Sequence, residues 1–191
     1  ISVKSTNRLK DWMKMEVALN YRRQKFDNIP TISGYGSTSL MTSLWGYAPN
    51  TDMEWSKSYW LDESISKQDN TIATKNNPYF LVYECINDQL KNRVYGNAKF
   101  DFDITKDLSL MVRAGLDNAV ERRSQRQGTS TESRPEGYYR EQDVTSNQYT
   151  TDFLLKYDRK FFGEFSVTAT FGGSIQYRSY PRKAQIADKL N

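Results

Sequence analysis

Along much of this chain apolar residues stand at every second position. Between residues 101 and 117, Phe102 and Ile104 alternate with Asp101 and Asp103; Leu108, Leu110, Val112, Ala114 and Leu116 then alternate with Ser109, Met111, Arg113, Gly115 and Asp117. A period of two is that of a β-strand, whose successive side chains point to opposite faces. Only Thr105-Lys106-Asp107 separates the two runs, which is room for a tight turn, so the segment predicts a hairpin.

The pattern recurs. Residues 12–24 set Met13, Met15, Val17, Leu19 and Tyr21 against Lys14, Glu16, Ala18, Asn20 and Arg22, and residues 92–104 set Val94, Gly96, Ala98, Phe100, Phe102 and Ile104 against a charged and polar row. Residues 147–158 and 164–178 repeat it, with Leu154 the one apolar intruder on the polar row of the former. The sequence therefore predicts an all-β chain of about five strands, at 12–24, 92–104, 108–121, 147–158 and 164–178. Short turns are expected at 5–11, 105–107 and 159–163, and long loops at 25–91 and 122–146. Short and long connections alternate, as they do in an antiparallel meander whose long loops all leave by one side.

Strand length narrows the class. Runs of this size exceed the five or six residues usual in a soluble sheet and suit tilted strands that cross a bilayer with some overhang. Small residues on the apolar row (Gly96, Ala98, Ala114, Ala169, Gly173) are poor filling for a dry soluble core and acceptable against lipid. Aromatics gather near the strand ends: Trp12, Phe100, Phe102, Tyr157 and Phe165 by the short turns, Tyr21, Tyr149 and Tyr177 by the other ends, as two interfacial girdles would place them. From pattern the expected architecture is a segment of an antiparallel transmembrane β-barrel, with a soluble β-sheet protein as the alternative.

Composition excludes several other classes. Hydrophobic residues make up 37% of the 191, and no run approaches the apolar length of a membrane-spanning helix. The net charge of +4 comes from 27 basic and 23 acidic residues that are interspersed, not gathered into a patch, so nucleic acid is not an expected partner. Cys85 is the one cysteine and histidine is absent, which removes disulfide frameworks and cysteine/histidine zinc sites; Cys85 reads as a structural thiol. The opening ISVKSTNRLKDW lacks the apolar core of a secretory signal and reads as mid-chain sequence.

Three ordered stretches carry a resemblance to a known family. KDWMKMEVALNYRRQKFDN, NNPYFLVYECINDQLKNRVYGNAKFDFDITKDLSLMVRAGLD and EGYYREQDVTSNQYTTDFLLKYDRKFFGEFSVTATFGGSIQ resemble wall strands, turns and loop exits of the SusC/RagA family of TonB-linked outer-membrane proteins. The resemblance spans nearly the whole chain, though no single short motif is diagnostic. It implies an internal piece, roughly a quarter of the wall, of a 22-stranded barrel whose plug and N-terminal domains are not visible in this sequence. It further implies a bacterial outer-membrane location, uptake of oligosaccharides or peptides, a SusD-like surface lipoprotein as partner, and energy from the TonB complex through other parts of the whole protein.

The candidate binding residues lie in the long loop at 25–91, which holds Trp45, Trp55 and Trp60 with Tyr35, Tyr47, Tyr59 and Tyr79. Long aromatic loops are usually functional; packing is the first reading for each tryptophan, and Trp45, Tyr47, Trp55, Tyr59 and Trp60 are the candidates for contact with a lipoprotein partner or with cargo. In STSLMTSLW, Leu40 with Leu44 and Met41 with Trp45 fall at helical spacing, predicting a short helix after Ser37 or Thr38 whose apolar side packs on the barrel rim or a partner. Lys14, Glu16, Lys99, Asp101, Arg113 and Asp117 stand on the polar row and are expected to face the lumen, either solvated or paired with one another.

Chemistry of other kinds finds no footing. Asp101, Asp103 and Asp107 lack the glycine and terminal glutamate of a calcium loop, so no metal or cofactor is expected. Glu54 and Asp62 have the residue types of a glycosidase pair but nothing in their spacing fixes a separation, and no nucleophile elbow or phosphate loop occurs, so the chain is not expected to be an enzyme. The competing reading is a secreted soluble β-sheet module that binds glycan through its tryptophan-rich loop.

Overall fold

A computed structural model of the chain describes residues 1–30, 39–61, 67–70, 76–162 and 165–190. In chain order these form β1 (Ser2–Lys10), β2 (Met13–Phe26), a short helix α1 (Leu40–Trp45), one 3-10 turn (Met53–Ser56), α2 (Pro78–Glu84), β3 (Asn87–Asp103), β4 (Leu108–Gln127), β5 (Tyr138–Phe161), β6 (Phe165–Ser179) and β7 (Arg182–Ala187). The strands make one open antiparallel sheet in the order β1-β2-β3-β4-β5-β6, with β7 also paired to β5. Among the described residues the sheet does not close on itself. Among the described residues no helix is long and apolar enough to cross a membrane.

The five expected strands are all present, and two are added. The expected turn at 5–11 is instead most of β1; the chain reverses at Asp11-Trp12 alone, and Trp12 lies in that turn, stacked on Phe102 at 6.3 Å. Strand β1 escapes the sequence pattern because STNRLK carries hydrogen-bonding backbone without an apolar row; its register with β2 runs from Ser2 opposite Asn20 to Arg8 opposite Lys14. Strand β7 follows β6 after Tyr180-Pro181 on the same partner, β5. Proline cannot donate to a ladder, so it interrupts what would be one edge strand.

The other differences are extensions. Strand β4 runs 20 residues and β5 runs 24, which shrinks the expected loop at 122–146 to residues 128–137. Likewise β2 reaches Phe26 and β3 begins at Asn87, shortening the expected loop at 25–91. In these extensions both rows are largely polar, as in RRSQRQ of β4, so the alternation that marks a two-faced strand vanishes while the strand continues. The expected tight turn between β3 and β4 is present, closed by the Ile104 and Thr105 amides donating to the Leu108 carbonyl at 2.9 and 3.1 Å. The expected turn at 159–163 and strand start at 164 are met by β5 continuing to Phe161 and β6 being described from Phe165; residues 163 and 164 lie outside the described set.

Pairing between β5 and β6 shows how the apolar rows meet. Tyr149 sits opposite Tyr177, Phe153 opposite Gly173, Leu155 opposite Phe171 and Tyr157 opposite Ala169, all on one face. Tyr149 stacks on Tyr177 at 6.4 Å, and Phe153 leans on Phe171 at 5.9 Å. Large residue beside small lets neighbouring side chains interdigitate along a flat face, and cross-strand aromatic pairs each add a fraction of a kcal/mol, roughly 0.2–1. Yet the face has no cover: Phe171 and Ile175 remain 68% and 78% exposed.

The chain divides into two compact units. Ile1–Arg23, Lys91–Val120 and Val144–Pro181 form the first, which is sheet throughout; Gln24–Leu90, Glu121–Asp143 and Arg182–Asn191 form the second, which holds the helices. Within the second unit, Phe80, Leu81 and Tyr138 are buried.

Two glycines in the first unit are required by close approach to backbone, Gly172, whose added Cβ would lie 2.8 Å from the Phe153 carbonyl oxygen, and, more tightly, Gly96. A Cβ on Gly96 would lie 2.2 Å from the Ala18 carbonyl oxygen, a backbone atom that cannot swing aside, whereas one on Gly115 would meet nothing nearer than 3.7 Å. Gly96→Ala is therefore expected to destabilise the intact protein by about 1–3 kcal/mol through forced backbone movement, and Gly115→Ala to be close to neutral. Denaturant midpoints of the two variants check this contrast.

Candidate functional site

On the polar row of the first unit the charged side chains are matched across and along strands. Arg93 of β3 donates from Nε to Asp117 of β4 at 2.7 Å, with a second contact through Nη2, and Arg113 of β4 forks onto Asp152 of β5 with bonds of 2.7 to 3.2 Å. Lys14 meets Glu16 at 2.7 Å and Lys99 meets Asp101 at 2.9 Å, each pair two residues apart and so on one face of its strand. The two pairs adjoin, with Lys14 in electrostatic reach of Asp101 and Glu16 of Lys99. All six residues predicted for a lumen thus have opposite-charge partners, and the structure brings them into two groups.

Bidentate guanidinium–carboxylate pairs fix both orientation and charge. Exposed pairs of this kind contribute little stability, about 0–1 kcal/mol each; their effect is to leave a neutralised, hydrophilic wall. Arg113, Asp117 and Asp152, with Asn97, Gln148 and Thr150, line a shallow concavity of about 340 Å³ on that wall. Arg93 and Asp152 were not among the predicted site residues, although they occupy the same polar row and were legible by the same alternation.

The aromatic loop candidates separate into two sets. Tyr59 and Trp60 pack with Phe80 and Tyr83: Trp60 meets Phe80 edge-on at 5.4 Å, and Tyr59 stacks on Tyr83 at 5.8 Å. The Tyr59 hydroxyl donates to Glu84 at 3.3 Å, and Glu84 in turn accepts from Arg126 of β4 at 2.7 Å. Burial, together with the Glu84 carboxylate, holds the Tyr59 phenol above the usual tyrosine range. The Tyr47 hydroxyl shares a 2.9 Å hydrogen bond with Ser56. Trp45 and Trp55, by contrast, are 79% and 68% exposed, and α1 places Trp45 beside the exposed Met41 while Leu40 and Leu44 are half-buried. The helix begins after Ser39; Ser37 and Thr38, like Tyr35, lie outside the described residues.

What holds the second unit together is a buried amide network without any periodic signature. The Gln68 side chain donates to the Asn76 Oδ1 at 2.7 Å and to the Ser130 carbonyl at 2.5 Å, and accepts from the Asn77 backbone at 2.9 Å. Asn77 donates to the carbonyls of Ser56 and Asp69 at 3.0 and 2.8 Å and caps α2 by accepting from the Tyr79 amide at 2.9 Å. Asn76 also accepts from the Glu132 amide at 2.9 Å, so Gln68 and Asn76 tie the loop after β2 to the connection between β4 and β5, while Asn77 binds within the loop. Cys85 lies beside Thr131, and burial pushes its thiol pKa up, which suits a structural role.

Two further expectations concern carboxylates. Glu54 pairs with Lys57 at 2.6 Å, and Asp62 lies outside the described residues. Asp101 is engaged by Lys99, and Asp107 faces Arg159 at 3.7 Å. Among the described residues no group of three or more metal-ligating side chains converges.

A second concavity, in the second unit, combines guanidinium and amide groups that sequence reasoning missed. Asn87 and Gln89 of β3, Arg123 and Gln125 of β4, and Arg140 and Gln142 of β5 line a space of about 310 Å³. No family model matches the chain, and no curated protein matches its sequence.

Because Asn77 satisfies two carbonyls and an amide at once, Asn77→Ala would strand buried polar groups at about 1–3 kcal/mol each. The expected outcome is selective loosening of residues 39–85, read as new protease cuts there while the strands of the first unit stay resistant.

Proposed function

We propose that this chain is part of a SusC/RagA-type, TonB-dependent importer of the bacterial outer membrane, supplying barrel wall and surface loops for uptake of oligosaccharides or peptides. One observation carries the reading: each long strand has an apolar row of limited length on one face only. It runs from residue 13 to 21 in β2, 94 to 104 in β3, 108 to 116 in β4, 149 to 157 in β5 and 165 to 177 in β6. These stretches are close to the roughly 9–11 residues with which a tilted strand crosses a bilayer. Beyond them, Asp88, Arg122 and Glu141 occupy the same rows, as expected of strand extensions in water.

Two physical arguments support it. An exposed apolar face of this extent on a sheet needs lipid or protein against it. The open edges at β1 and β6 need neighbouring strands, because lipid supplies no hydrogen-bond partners to an unpaired ladder. In this reading the paired charges of the opposite face, Lys14–Glu16, Lys99–Asp101, Arg93–Asp117 and Arg113–Asp152, line the lumen. The exposed Trp45 and Trp55 meet a SusD-like lipoprotein or the arriving cargo, and TonB acts through parts of the whole protein other than this chain. The role is passage and binding, not catalysis.

The exposed tryptophans equally favour a secreted glycan-binding module, and fractionation separates the two. The native protein carrying YYREQDVTSNQYTTDFLL is expected in the outer membrane, released only by detergent, at several times the 22.3 kDa of this chain. A soluble species of that mass would overturn the importer. Orientation has its own check: Val112→Arg, on the apolar row, is expected to cost about 2–4 kcal/mol near a bilayer midplane, and Ser109→Arg on the polar row much less. Equal tolerance in the intact, membrane-inserted protein would refute the assignment of faces.

A further inference from the structure

We infer that the concavity between Asn87, Gln89, Arg123, Gln125, Arg140 and Gln142 is a binding site for a carboxylate-bearing sugar, a uronate-type residue. As a place for cargo it rests on the importer reading; as a binding site it does not. The argument begins with charge. Arg123 is neutralised by Glu121, which it contacts through Nε, whereas Arg140 lines the space and enters no ion pair among the described residues. No acidic side chain lines the space. A guanidinium without a counter-charge in a partly closed site is matched best by a bound carboxylate, which accepts charge-assisted bonds from its terminal N–H groups.

The rest of the lining selects what the carboxylate is attached to. Gln89, Gln125 and Gln142 are amides, each offering a donor and an acceptor together, which is the complement of a hydroxyl group. Gln142 is 6% exposed, so its amide is spent inside the structure and not on bulk water. Asn87 is fixed as wall: its side chain donates to the Ile29 carbonyl at 3.2 Å while its own carbonyl accepts from the Ile29 amide at 2.7 Å. Ile29 is the single aliphatic contributor, enough for the weakly apolar face of one sugar ring. The volume of about 310 Å³ lies at the small end of ordinary ligand sites, which run from about 300 to 1,000 Å³, so the site reads one residue of a chain and not a whole oligomer.

The test uses the full-length protein in detergent and isothermal titration with three probes: digalacturonate, its dimethyl ester, and the dipeptide Glu-Glu. The proposal expects digalacturonate to bind about ten- to a hundredfold more tightly than the ester, the ratio that loss of a charge-assisted hydrogen bond gives. Arg140→Gln is expected to remove that preference, while Arg122→Gln, whose guanidinium is engaged by Asp143 at 3.1 Å, leaves it intact. Equal affinity for acid and ester, unaltered preference in Arg140→Gln, or no binding of digalacturonate overturns the site. Glu-Glu binding as tightly as digalacturonate overturns the sugar and assigns the carboxylate to peptide. The ester comparison uses unmutated protein, so it decides the matter even where Arg140→Gln fails to fold. Failure here leaves the membrane fractionation untouched; a soluble protein that binds digalacturonate overturns the importer and keeps the site.

Discussion

Every feature of this protein hangs on a backbone ladder whose two edges are open among the described residues. Strands β1 to β6 satisfy one another's amides and carbonyls in sequence order, but the outer rows of β1 and β6 meet no further strand among the described residues. Unpaired edges template association with whatever strand arrives, and natural sheets usually blunt them with proline, short strands or inward charges. Here Pro181 interrupts the edge beyond β6, yet β6 itself is a full-length strand with an apolar row. A ladder of that kind can be extended by another strand.

The two faces divide their tasks accordingly. One row carries residues such as Phe153, Phe171 and Ile175 that gain only by leaving water, and they stay exposed among the described residues. The other carries charges that are neutralised locally, along a strand as in Lys14–Glu16 or across strands as in Arg113–Asp152. Because neither face depends on a deep core, the sheet of the first unit tolerates an interior of small residues, and Gly96 is used to let β3 approach Ala18 of β2 closely.

Legibility in the sequence followed this division. Strands β2 to β6 could be read because one face is apolar and the other is not, so a period of two survives in the residues themselves. Strand β1 and the far ends of β4 and β5 could not, since SVKSTNRLK and SQRQ are polar on both rows and a strand wetted on both sides leaves no alternation. Strand β7 is short and follows a proline, a context that ordinarily argues against continuation. The charged site residues were found through their row, and their partners Arg93 and Asp152 lay within the same signal. The tryptophans were flagged by type alone, which does not distinguish Trp60, packed on Phe80, from Trp45 in solvent. Gln68, Asn76, Asn77 and Arg140 gave no sign, because a buried amide network is defined by long-range bonds and looks in sequence like any polar loop.

Unequal connections also set an order of assembly. The β1–β2, β3–β4 and β5–β6 pairs are joined by turns of a few residues and close on the microsecond scale of hairpins. Pairing β2 with β3 must first bring together ends separated by the whole stretch from Phe26 to Asn87. Chain closure costs about 0.6 kcal/mol for each doubling of loop length, so that step starts roughly 2–3 kcal/mol behind its neighbours. The amide clasp of Gln68 and Asn77 shortens the free part of that stretch as it forms. Closing the second unit therefore lowers the loop cost of joining β2 to β3, and pairing within each hairpin is cheaper than pairing across that seam.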